Sequence, residues 1–126
     1  MRNYTAMRDV LAVIATSAKP LEFEDFMVVH QRDRVVEELK RLDREMLIES
    51  TIQFESQICT GGAVAGLTDE GEAFYRLIEN DGVWGIILET LRSAGVDVSY
   101  PLLKEVCEEI VKRYVTSFIP DMPIRK

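Results

Sequence analysis

The sequence predicts a mainly α-helical fold with one small β-hairpin, and three features carry that prediction. Apolar residues recur at helical spacing over residues 4–17 and again over 33–46. A period-two alternation fills residues 47–56, and Gly61-Gly62 then supplies a reversal signal before a short return. From residue 68 to residue 118 the spacing is helical again. The 126 residues suffice for one domain with a buried core, and 47% apolar content argues against a disordered chain.

Taken in order, the first run gathers Met7, Val10, Leu11, Val13 and Ile14 on one broad stripe. Lys19-Pro20 ends it, because proline disfavours helix in the residue before it. A short second helix is predicted over residues 21–29. Its Leu21, Phe26, Met27 and Val29 are apolar, and Glu22, Glu24 and Asp25 sit near its positive N-terminal end. The third helix places Val35, Leu39, Leu42 and Met46 at steps of four, three and four, an inward seam that Val36 widens.

In the alternating run that follows, Ile48, Ile52 and Phe54 share one face of a strand. "TGGAVAGL" turns at its glycine pair and returns, closing a hairpin near residues 47–67. Thr68 is placed to cap the helix of "TDEGEAFYRLIEN", which turns Phe74, Leu77 and Ile78 inward. "DGVWGIILETLRSAG" is a further helix closed at Gly95. A last one runs over residues 100–118, with Pro101 in its first turn and Leu103, Val106, Ile110, Tyr114 and Phe118 as its stripe. Pro120 and Pro123 make residues 119–126 an extended tail. Three helices and then a hairpin is the order of a winged helix-turn-helix, the hairpin being the wing. Residues 1–80 therefore read as a winged-helix domain, and residues 81–118 as a C-terminal helical extension packed on it within one structural domain.

Catalytic chemistry has few candidates. His30 is the only histidine, and no spacing joins it to Cys59 or Cys107, so a capping or partly buried role is expected. Two cysteines build neither a disulfide framework nor a zinc site, and the Gly61-Gly62 pair lacks the lysine and hydroxyl residue of a phosphate loop. A protein without an active site, cofactor or metal is the expectation. No basic segment precedes an apolar run at the N-terminus, and no apolar run reaches membrane-spanning length, so the expected compartment is the cytoplasm.

The segment "GLTDEGEAFYRLIENDGVWGIILETLRSAGVDVSYPLLKEV" resembles a phage- and prophage-associated family that joins a winged helix to a following helical segment. The matching positions are Leu67, Thr68, Glu70, Gly71 and Phe74, then Asp81, Val83 and Trp84, and finally residues 102–106. The resemblance implies the fold and a phage-type protein; it implies no activity. In this chain the wing segment lacks the basic residues often seen in DNA-binding wings.

Two binding functions compete. With its seam inward, the third helix sends Asp33, Arg34, Glu37, Lys40, Arg41 and Arg44 outward. Gln31, Arg32, Arg34, Lys40, Arg41 and Arg44 are thus the candidate nucleic-acid set of a DNA-binding regulator. Glu37, one turn from Lys40 and Arg41, is expected to neutralise part of it. Net charge is −7, and no lysine or arginine lies between Arg44 and Arg76, where six acidic residues do. Phosphates are repelled by such a surface, so DNA is the less favoured partner.

Glu49, Glu55, Asp69, Glu70 and Glu72 form the candidate protein-binding set, suited to a basic partner surface. Together with the phage-type resemblance, they point to an inhibitor of a host nucleic-acid-handling or defence complex, an anti-CRISPR being one example. Val83, Trp84, Ile86, Ile87, Leu88 and Leu91 leave the first C-terminal helix little polar face. It is either wrapped by the rest of the domain, the reading favoured for Trp84 and Ile87, or shared with a second copy through the last two helices, a further expected partner.

Overall fold

A computed structural model of the chain describes residues 2–118 (for Phe118 the backbone alone); the predicted tail over 119–126 lies outside them. Helix α1 (Tyr4–Thr16) is capped by Asn3, whose side-chain oxygen accepts from the Ala6 amide at 2.8 Å. Its predicted stripe is the centre of the core: Met7, Val10 and Leu11 are fully buried. α1 packs on α2 (Arg32–Arg44), on α3 (Asp69–Ile78) and on the returning strand of the hairpin.

The second predicted helix is instead a 3₁₀ turn over Phe23–Val28. Leu21 does not join it: its backbone exchanges hydrogen bonds with Val64 at 2.9 and 2.8 Å, adding one residue of a third strand to the sheet. Phe23 and Phe26 are the buried side chains here, while Met27 lies on the surface. Asp25 accepts from the Glu22 amide at 2.8 Å and so fixes the start of the turn.

The hairpin comprises β1 (Ile48–Ser50), β2 (Gln53–Glu55), β3 (Ile58–Gly61) and β4 (Val64–Leu67), with β1 antiparallel to β4 and β2 antiparallel to β3. Its reversal is at Ser56-Gln57, not at the glycine pair. Ser56 takes the left-handed conformation (φ 56°) at the tip. Gly62 serves a different need: a Cβ there would collide with the Thr51 carbonyl of the opposing strand. The pair thus marks where the two ladders meet; strand pairing is interrupted at Thr51-Ile52, while burial keeps alternating from Ile48 to Glu55 as the period-two spacing predicts.

α2 ends two residues before its apolar spacing suggests. Met46 adopts a positive φ of 61°, and the Leu47 amide folds back to the Leu42 carbonyl at 3.0 Å. This reversal closes the helix as a left-handed C-terminal residue commonly does. It throws Met46 out of the seam, leaving it 73% exposed, and Leu47 takes its place in the core.

α4 (Asp81–Ala94) and α5 (Tyr100–Phe118) pack on each other, and both lie against α3. Val83, Trp84, Ile87 and Leu91 of α4 are buried within the chain, so its apolar face is largely covered without a second copy; Ile86 remains outside. Leu103 and Cys107 are the buried anchors of α5, with Ile110 and Tyr114 half-buried. Arg8 fastens the two halves: its guanidinium donates to the Ile78 and Glu79 carbonyls at 2.9 and 2.7 Å, pairs with Asp81 and lies over the Trp84 ring.

One buried charged cluster joins the N-terminus to the rest. Arg2 donates to Glu38 at 2.6 Å and to Glu45 at 2.9 Å, while its backbone amide donates to Asp97 at 2.6 Å. Arg41 extends the cluster toward Glu45 and Asp97. Burial pushes the Glu38 carboxyl above its ordinary range, an effect that Arg2 offsets only in part. Removing one member of such a set strands the others without compensation.

Glu38→Ala is expected to cost about 3–5 kcal/mol in denaturant unfolding. Replacing Arg2, Glu38 and Glu45 together by Met, Leu and Met should recover most of that loss; if it recovers none, the cluster does more than satisfy its own charges. A glycine pair offers a second check. Gly71→Ala would drive a Cβ into the Leu47 carbonyl and should cost about 1–3 kcal/mol. Gly85→Ala, with open space around it in α4, should stabilise by about 0.5–1 kcal/mol.

Candidate protein-binding groove

The structure disperses the predicted nucleic-acid set. Arg32 donates to the Gln57 carbonyl at 3.0 Å, and Lys40 donates to the neighbouring Ser56 carbonyl at 3.0 Å. Lys40 also lies 5.4 Å from the centre of the Phe54 ring, which packs edge-on against Phe23. These two cations therefore hold the hairpin tip against α2. Arg41 is engaged by Glu45 and Asp97 in the charged cluster, where Glu37 was expected to pair with it. Gln31 is the exposed residue preceding α2. Among the described residues only Arg34 and Arg44 of the set are exposed cations without an ionic or hydrogen-bond partner.

The acidic set divides as well. Glu70 accepts from Lys104 at 2.7 Å and from the Tyr100 hydroxyl at 2.6 Å, anchoring the start of α3 to α5. The Lys104 and Tyr100 hydrogen bonds hold its carboxyl below the usual range. Burial first, and then Glu70, push the Tyr100 hydroxyl well up. Glu72 pairs with Arg76 one turn on. Glu55 lies beside the hairpin tip and is exposed.

Glu49 and Asp69, by contrast, come together along one open groove of about 1070 Å³. It runs between the last turn of α2, the outer side of the β1–β4 ladder and the first turn of α3, with Asp43, Met46, Ala65 and Glu70 also lining it. Asp43, Glu49 and Asp69 are exposed and have no partner among the described residues. Sequence reasoning missed two of its residues. Asp43 was not singled out, and Met46 fitted the inward seam. The signal for Met46 was local: Leu47 offers a better core residue at the helix exit, and Thr68 donates to the Met46 carbonyl at 2.7 Å.

Thr68, the predicted cap, accepts from the Gly71 amide at 3.0 Å and so starts α3 at the groove's edge. Gly71 lets that turn sit directly on the Leu47 carbonyl, and Phe74 is fully buried beneath it. His30 pairs with Asp9 at 2.8 Å, tying the 3₁₀ turn to α1. Burial, with Glu108 adding to it, pushes the Cys107 thiol up to about 12. Among the described residues, no group of three or more His, Cys, Asp or Glu side chains is placed to hold a metal ion. No described helix is long and apolar enough to cross a membrane. Neither a family model, a curated protein nor a solved structure matches this chain.

The Glu70–Lys104 contact has a defined pH signature. Glu70 is depressed, so its contribution is present above about pH 4.5 and is lost as pH falls through its folded value. Lys104 is raised by Glu70, so its share is present below about pH 10.5 and is lost as pH rises through its folded value. Thermal unfolding of Glu70→Gln should therefore show a smaller rise in Tm between pH 3 and pH 6 than the parent. An unchanged rise would place the acid sensitivity elsewhere.

Proposed function

We propose that this protein is a non-enzymatic binding module of winged-helix type, and that it engages a partner protein through the acidic groove beside β1. The observation that carries this reading is the groove itself: three unpartnered carboxylates, Asp43, Glu49 and Asp69, border a depression that exposes Met46. Unpaired charge around apolar surface is the composition of a docking site that steers a complementary partner and then excludes water. The winged-helix assignment rests on the order of α1, the Leu21 bridge, the 3₁₀ turn, α2 and the hairpin. A host complex that handles nucleic acid carries basic surfaces, and these are what such a groove would take. That supports the phage-type inhibitor reading as the narrower form of the proposal.

DNA binding by α2 is supported by Arg34 and Arg44, which stay exposed. It is opposed by the engagement of Arg32, Lys40 and Arg41 within the fold. A grooved readout needs several convergent cations, and two do not supply the phosphate contacts of ordinary duplex affinity.

Paired charge variants separate the readings. Glu49→Lys with Asp69→Lys should abolish retention of a host protein on the immobilised chain, and Arg34→Ala with Arg44→Ala should leave it intact. Binding to random duplex at low salt, if lost in the arginine pair and kept in the acidic pair, would reverse the assignment.

A further inference from the structure

Resting on the protein-binding reading, the geometry points to the chemistry of the occupant: we infer that the groove takes a basic linear segment of the partner, with one aliphatic residue packed on Met46 between flanking lysines or arginines. Three features argue for this occupant. Glu38, Glu45, Glu70 and Asp97 are engaged by cations within the fold, whereas Asp43, Glu49 and Asp69 have none. Their charge is uncompensated where an external cation can reach it. Among the described residues no three such side chains are placed to hold one metal ion, so separate cations spaced on a partner segment, and not a single ion, complement them.

The floor supplies the third feature. Met46, which is 73% exposed, and Ala65 of β4 both line the groove. A thioether side chain adapts its shape to aliphatic groups, as methionine-rich peptide grooves do. Nucleic acid does not fit, because no lysine or arginine lines the groove. A segment that alternates basic and aliphatic residues meets both the rim and the floor.

The test uses the full chain and a fluorescein-labelled octapeptide of alternating lysine and leucine, read by fluorescence anisotropy. Glutamate-for-lysine and serine-for-leucine versions of the peptide serve as controls. The lysine-leucine peptide should bind, and both controls should bind at least about tenfold more weakly. Glu49→Lys with Asp69→Lys should weaken binding by about tenfold or more. Met46→Gly removes the side chain while suiting the positive φ, so the fold is retained and only binding should fall.

Equal affinity of the parent and the acidic-pair variant overturns the inference, as does a serine peptide that binds as well as the leucine one. Sedimentation that shows self-association lost in Asp69→Lys assigns the groove to a second copy and also overturns it. If no peptide binds at millimolar concentration while host-protein retention still depends on Glu49 and Asp69, the linear-segment inference fails and the protein-binding reading stands.

Discussion

The position of α2 depends on Arg2. Its guanidinium and amide bring together Glu38 and Glu45 of one helical face and Asp97 of the α4–α5 connection. Side-chain exposures of 2% and 5% for Arg2 and Glu38 mean that both charges have left water. Desolvation of that size is not a source of net stability; its effect is to select against alternatives. Rotating α2 about its axis would part Glu38 and Glu45 from Arg2 and leave the buried guanidinium without compensation, which disfavours other phases of the helix. The observed phase gives it two adjoining inward stripes, apolar through Val35, Leu39 and Leu42, and charged through Glu38, Arg41 and Glu45.

The consequence for function is geometric. With Arg41 drawn into the cluster and Arg32 and Lys40 bound to the hairpin tip, the cations left on the outer face are Arg34 and Arg44. Ten residues apart, they are separated by about 15 Å along the helix. A helix that reads bases presents several side chains within two turns and leaves the groove-facing side open. Here the hairpin lies against that side, with Phe54 and Ser56 in contact with Lys40.

Much of the fold was legible because local spacing determined it. The stripe of α1, the Thr68 cap and the Gly95 stop are each set by residues within a few positions of one another. Long-range contacts were not legible. Nothing near Arg2 in sequence announces Glu38, and nothing near Leu21 announces Val64, because those contacts cross 36 and 43 positions. The hairpin turn was misplaced for a related reason: a glycine pair is a turn signal in isolation, yet here the opposing Thr51 carbonyl occupies the space a side chain would need. The candidate site was half legible. Glu49 and Asp69 stood out by charge, while Met46 was hidden by a seam spacing that the left-handed exit of α2 interrupts.

Four positions of the "GLTDEGEAF" stretch serve the fold itself. Thr68 caps α3 and ties it to Met46, Gly71 permits the close approach to Leu47, Phe74 fills the core, and Glu70 clamps α5 through Tyr100 and Lys104. All four fix the junction of β4, α3 and α5. That same junction forms one wall of the acidic groove, with Glu70 turned toward α5 and Asp69, its neighbour, left free. The capped start of α3 and one wall of the groove thus share one turn of helix. The capped turn and the glycine contact fix the backbone there, and they leave the Asp69 carboxylate exposed beside the groove while Glu70, one residue on, is held by α5.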